Sequence, residues 1–167
     1  LAQQIKISFQ PGDPEQRVFL DGDEVTQDIR QGQIDNNVSA VAAIPAVRTE
    51  MTRQQREIAQ NGGIVMDGRD IGTTVLPNAP VKIFMVATAH ERAHRRYVEN
   101  KAKGIATASL EELQKEIELR DKKDSTRAVS PLTQAPDATR LDTTNLTIDQ
   151  VVDEISKIIK KTQEQLQ

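Results

Sequence analysis

Residues 81–87, Val-Lys-Ile-Phe-Met-Val-Ala, constrain the fold of this chain more than any other stretch, because only Lys82 interrupts an otherwise apolar run. A run so short and continuous fits a strand buried on both faces; a strand with one wet face would alternate instead. Thr88 follows at once with Glu91 three residues on, a pairing that starts a helix by having each side chain serve the other's backbone amide. Gly104 is placed to end that helix. A second apolar run, Ile64-Val65-Met66, reads as a strand and stops at Asp67-Gly68-Arg69-Asp70. Two more capping pairs, Ser109 with Glu112 and Thr147 with Gln150, predict further helices. Leu110, Leu113 and Ile117 share one face of the first, and Ile148, Val151, Val152, Ile155 and Ile159 form an amphipathic stripe on the second. Strands alternating with helices predict an α/β parallel sheet.

The first fifty residues follow another pattern. Ile5, Ile7 and Phe9 alternate with polar residues, Pro11-Gly12 and Pro14 mark a loop, and Asp21-Gly22 follows Val18-Phe19-Leu20 as a hairpin turn signal. A small antiparallel sheet is expected there. Ile34, Val38, Val41 and Ala42 then fall on a helical stripe. Pro45 separates it from a second helix carrying Val47, Met51 and Ile58, which Gly62-Gly63 would close in a left-handed conformation. The polar residues 160–167 are expected to fray.

With three Phe, one Tyr and no Trp, the core has to come from Ile, Val, Leu and Ala, and rings for stacking single-stranded bases are scarce. The absence of cysteine removes disulfides and thiolate metal sites. His90 and His94 stand at i, i+4 but lie among Arg92, Arg95 and Arg96, which would repel a cation, so no metal site is expected. A net charge of −3 and the lack of a membrane-length apolar run argue against nucleic acid and membrane as partners. A cytoplasmic monomer is the expectation.

Three clusters carry chemistry. In Asp67-Gly68-Arg69-Asp70-Ile71-Gly72-Thr73 an apolar run exits into a loop, where open α/β sheets bind ligands. Glycine admits close backbone approach, and arginine offers a planar fork for phosphate. A polar turn with an incidental Arg–Asp pair explains the same residues, and composition leaves the two readings level. Arg120, Asp124 and Arg127 fall on one helix face. Spacing alone favours a solvated ladder contributing about 0.2–0.5 kcal/mol per pair, although two arginines on one aspartate also suit a phosphate clamp. Arg92, Arg95 and Arg96, with Lys101 and Lys103, precede the small polar segment 104–109. They read as a solvated basic helix or as the base of a flap over a polyphosphate.

In this order, these pieces resemble the bacterial cytidylate kinases. IVMDGRDIGTTVLPNAPVKIFMVATAHERAHRRY looks like the centre of that family, RDKKDSTRAVSPL and LDTTNLTIDQVV like the segments after it, and NNVSAVAAIPAVR like its helix pair beside the monophosphate. The resemblance implies a nucleoside monophosphate kinase-like parallel sheet flanked by helices, of the P-loop type. A small antiparallel β insertion would sit in a monophosphate-binding lobe at 1–62, with the rest of the kinase core at 63–167 and a lid at about 92–109. It implies transfer of the γ-phosphoryl group of ATP to CMP or dCMP, with Mg2+. Ser39, Arg48 and Asp70 match positions that recognise cytosine, and Arg69 one that holds the α-phosphate. Arg120 and Asp124 match positions at the sugar, and Arg127 another phosphate-contacting arginine. Arg69, Arg120 and Arg127 are the expected catalytic cations; Arg92, Arg95 and Arg96 lie on the ATP side.

The family's glycine-rich GxxxxGK[ST] loop, which cradles the donor phosphates and holds magnesium, has no counterpart in these 167 residues. Since every acceptor-site residue is present, truncation is expected rather than a natural loss of activity, and this chain alone is expected to be inactive. A kinase preferring another base, such as uracil, and a noncatalytic nucleotide-binding module are the competing readings.

Overall fold

The structure, a computed structural model, describes residues 1–13, 15–30 and 32–165, apart from the side chains of Gly32, Gln33, Asp35, Asn36 and Ser39. It divides into two compact units, Leu1–Met66 and Asp67–Gln167.

In the first unit β1 (Ile7–Gln10), β2 (Arg17–Leu20) and β3 (Asp23–Glu24) form an antiparallel sheet in that order. Leu20 pairs with Asp23 across a two-residue loop. Asp21 and Gly22 both take positive φ there, 54° and 99°, which matches the twist of the flanking strands. Pro14, an expected loop marker, lies outside the described residues. Two helices follow, α1 (Gly32–Ala42) and α2 (Pro45–Ala59). Pro45 opens α2 at the first helical position, where a missing N–H costs nothing and φ is preset. Beyond its end Gly62 and Gly63 sit at φ 68° and 65°.

The start of the chain is tied to α2. Gln54 Nε2 donates to Ile5 O and to Glu50 Oε1, each at 3.1 Å. Glu50, only 7% exposed, also receives Arg53 Nη2 at 2.6 Å. The Arg53 hydrogen bonds, and then that of Gln54, outweigh desolvation and lower the Glu50 carboxyl to about 2. A depressed folded-state value means the contribution is complete above the unfolded value of 4.5 and is lost as pH falls toward 2. Thermal melts followed by circular dichroism should therefore show the melting temperature dropping over that window, with a shallower drop in Glu50→Gln. Parallel pH profiles for the two chains would rule out Glu50 as the acid-labile group.

In the second unit β4 (Ile83–Val86) and β5 (Thr139–Asp142) pair in parallel, Ile83 opposite Thr139 and Val86 opposite Asp142. Between them run α3 (Ala89–Ala102) and α4 (Leu110–Thr126), packed on each other, and α5 (Ile148–Gln165) follows. Among the described residues Val75, Ala93, Leu113 and Ala135 are the buried apolar ones. The expected α/β parallel arrangement and the separate antiparallel piece are both present.

Four local expectations need correction. Ile64-Val65-Met66 is not a strand: a strand exists through main-chain pairing, no described neighbour supplies it, and Val65 is 95% exposed. The run at 81–87 forms β4, but with Met85 half exposed it is not buried on both faces. The α5 stripe is only partly covered, Ile148 and Val152 being exposed. That helix also continues to Gln165 instead of fraying from 160, and 166–167 lie outside the described residues.

Helix ends follow local chemistry. Ser109 and Glu112 make both bonds of their box, at 2.9 and 3.2 Å, as do Thr147 and Gln150 at 2.9 and 3.3 Å. Thr88 Oγ1 accepts from Glu91 N at 3.2 Å, but the Glu91 carboxylate goes to Arg95 Nε, at 2.7 Å one turn on. At the end of α3, Gly104 takes φ 65°. Gly104 N donates to Lys101 O and Ile105 N to Asn100 O, at 3.2 and 2.9 Å, a pairing that satisfies two carbonyls the helix leaves open.

Candidate active site

Site geometry begins at Asp67-Gly68-Arg69-Asp70, the first residues of the second unit. At Gly68 a Cβ would fall 2.9 Å from Ile71 Cγ1, so a larger residue would have to displace the Ile71 side chain. Asp70, 5% exposed, then opens a single π-turn over Ile71–Val75. Its carbonyl accepts from Thr74 N at 2.8 Å and Val75 N at 3.2 Å, and Ile71 O accepts from Leu76 N at 2.7 Å. Isolated π-turns widen the backbone and occur often at functional sites. Val75, fully buried, anchors the far end of this one in the core. Arg69 is thereby held at the rim while Asp70 turns inward.

Asp124, on the last turns of α4, is the centre of the cluster. Its carboxylate is buried, with Arg69 Nε 3.3 Å and Arg120 Nε 3.9 Å from Oδ2, and Arg127 Nη1 3.9 Å from Oδ1. Three guanidinium groups thus surround one carboxylate, an excess of positive charge that suits an anionic ligand with oxygens to share. Arg120 and Asp124 are helix neighbours at i, i+4, but Arg127 is not on their face as the spacing suggests. The helix ends at Thr126, and Arg127 turns extended at ψ 144°. Its Nε donates to Ser130 O at 2.5 Å, and Leu132 N donates to Asp124 O at 2.8 Å, closing the following loop back on the helix. Arg120 Nε and Arg127 Nη2 are buried without a hydrogen-bond partner among the described residues.

The α3 arginines are engaged elsewhere. Arg92 forms a two-pronged pair with Asp121, Nη1 to Oδ1 at 3.0 Å and Nη2 to Oδ2 at 2.5 Å, and Nε donates to Ala87 O at 3.1 Å. The Asp121 bonds raise the Arg92 guanidinium above its ordinary range despite partial burial. Arg95 joins Glu91 and reaches Thr143 O at 2.5 Å, at the carboxyl end of β5. Arg96 is half-buried. Both Ser39 and Arg48 belong to the first unit, in α1 and the opening turn of α2; the side chain of Ser39 lies outside the described residues. Among the described residues no group of three metal-binding side chains is placed to hold an ion, and no helix is long and apolar enough to cross a membrane.

Sequence reasoning overlooked Asp121 and Ser130. Asp121 is one of five consecutive charged residues, 120–124, where every residue looks solvated, and only the packing of α3 on α4 singles it out. Ser130 carried a weak signal in preceding Pro131.

A family model described as cytidylate kinase matches residues 1–161. The chain is 78% identical over 166 residues to a cytidylate kinase of Limosilactobacillus reuteri (strain DSM 20016), covering 99% of this chain and 73% of that relative. It is 67% identical to one of Limosilactobacillus fermentum, with the same coverage. With one of Enterococcus faecalis the identity is 58%, over 93% of this chain and 68% of the relative.

Proposed function

This chain belongs to the cytidylate kinase family, and from that premise we propose that it carries the acceptor site of an enzyme moving the γ-phosphoryl group of ATP to CMP or dCMP. The observation that supports this best is the gathering of Arg69, Arg120 and Arg127 on the buried Asp124. Phosphoryl transfer asks a protein for positioning and charge stabilisation more than for covalent chemistry. In this reading Arg69 and Arg127 hold the monophosphate, and Arg120 and Asp124 fix the sugar end. Asp124 also limits repulsion among the three cations. Ser39, Arg48 and Asp70 read the base: cytosine offers an amino donor to the Asp70 carboxylate, and uracil offers a carbonyl that the same carboxylate rejects. Arg92, Arg95 and Arg96 belong to the ATP side. Magnesium would come as the ATP complex, where it would offset phosphate charge. None of these 167 residues forms a GxxxxGK[ST] loop, so no donor-phosphate role is given to them, and the enzyme works as a monomer in the cytoplasm.

A coupled assay for ADP release, with the chain joined to a donor-phosphate segment, tests the reading. CMP and dCMP should be turned over far better than UMP, and equal rates with all three would defeat it. Base choice has its own test in Asp70→Asn, whose amide can donate to the uracil carbonyl. The CMP-over-UMP ratio of kcat/KM should fall by roughly 5–150-fold, the equivalent of about 1–3 kcal/mol for one unsatisfied polar contact. An unchanged ratio removes Asp70 from base recognition.

A further inference from the structure

Ser130 holds φ at +49°, a left-handed conformation that crowds any side chain bearing a Cβ. It also precedes Pro131, whose ring disfavours helical backbone in the residue before it. Strain of this kind persists where the surroundings enforce it, and it gathers at ligand clamps. The surroundings here are explicit: Ser130 O accepts from Arg127 Nε at 2.5 Å, and two residues beyond, Leu132 N is fastened to Asp124 O at 2.8 Å. By contrast, the Ser130 hydroxyl accepts from Thr74 Oγ1 at 3.5 Å, a long and therefore weak bond. With Nε anchored and Nη1 facing Asp124 at 3.9 Å, the plane of the Arg127 guanidinium is set. What remains is Nη2, buried and without a hydrogen-bond partner among the described residues, a state that calls for an acceptor from outside the protein.

We propose that Ser130 is a positioning residue: its left-handed backbone holds out a carbonyl that aims Arg127 Nη2 at the phosphate of the acceptor nucleotide, and its hydroxyl is dispensable. The inference rests on the reading of Arg127 as a phosphate-contacting residue. It separates the two roles of the side chain and the backbone, which ordinary alanine substitution would confuse. Ser130→Ala removes the hydroxyl and tolerates the conformation about as well as serine does. Ser130→Thr keeps the hydroxyl but adds a β-branch that the conformation resists.

Steady-state kinetics with CMP, in the chain joined to a donor-phosphate segment, should leave Ser130→Ala within a few-fold of the parent. Ser130→Thr should lose on the order of 10–100-fold in kcat/KM for CMP, as a misplaced group does. Ser130→Gly, which takes the conformation freely, should match or exceed the parent. A second readout needs no nucleotide: the Arg127 Nε–H signal in 1H–15N spectra should exchange slowly with water in the parent, Ala and Gly chains and rapidly in the Thr chain. Slow exchange and full turnover in Ser130→Thr overturn the proposal, as does a loss in Ser130→Ala matching that in Ser130→Thr. If the parent itself fails to use CMP, the functional reading falls, while the Nε–H exchange still decides whether the Ser130 backbone holds Arg127.

Discussion

A polypeptide of these 167 residues alone should release no measurable ADP from ATP when CMP is added, and should do so once a strand and GxxxxGK[ST] loop from a cytidylate kinase are joined ahead of Leu1. The argument is geometric. The described arginines and aspartates can gather around a monophosphate, but none of the sequence supplies the amide-lined loop and lysine that wrap the β- and γ-phosphates of a donor. Fixing both reactants in line lowers a barrier by roughly 7–11 kcal/mol, and that contribution vanishes when one reactant is unheld. The isolated chain should also associate readily, since Val65, Ile148 and Val152 present apolar surface to water. A coupled ADP assay, run beside light scattering on both polypeptides, checks the two expectations together. Comparable CMP-dependent turnover from both would show that the donor phosphates are held by something in these residues.

Asp124→Ala should abolish most of the activity of the completed enzyme, on the order of 100-fold or more in kcat/KM, while shifting the melting temperature only modestly. The two effects separate because the cations around Asp124 differ in exposure. Arg69 and Arg120 keep 46% and 39% of their side-chain surface in water, so solvent can take over from the lost carboxylate; Arg127 keeps only 14%. Breaking a fully buried pair costs about 3–5 kcal/mol, but here only one of three arginines is in that situation. What the alanine chain cannot recover is aim, since three guanidinium groups lose their common reference. A solvated ladder predicts the opposite, because pairs worth about 0.2–0.5 kcal/mol each would leave both readouts nearly unmoved. Melting curves and steady-state kinetics on the same preparation decide between them. Asp124→Asn, which keeps the shape and discards the charge, should fall between the alanine chain and the parent.

The parts of the fold legible in the sequence are those decided within a few residues. Asp21-Gly22 could be read as a hairpin turn because positive φ at two successive positions is a local demand. The box of Ser109 with Glu112 was legible because both partners lie within one turn. Thr88 with Glu91 was half legible, since Arg95 competes for the same carboxylate from one turn away. Pairing over long distances was not readable. Nothing local says that Ile64-Val65-Met66 lacks a described partner strand, or that Arg92 pairs with Asp121 across two helices. The candidate site divides in the same way. Spacing put Arg120 beside Asp124, but it placed Arg127 on a helix that has already ended. Arg69 arrives at Asp124 from a distant part of the sequence, so family resemblance, and not spacing, suggested their common purpose.

The connection between α3 and α4 has a mechanical consequence. One helix closes its final carbonyls through Gly104 and Ile105, and the next closes its first amides through Ser109 and Glu112. Both caps are drawn from the connection itself, which leaves 106–108 as its middle. A shift of 106–108 would break the bond from Asn100 Nδ2 to Thr107 Oγ1, 3.2 Å long, and leave both caps in place. A rearrangement confined to a loop falls in the nanosecond-to-microsecond regime, faster than local unfolding. The bonds of Arg92 to Asp121 and of Arg95 to Thr143 involve none of these three residues, so the two arginines would keep their bearings through such a shift.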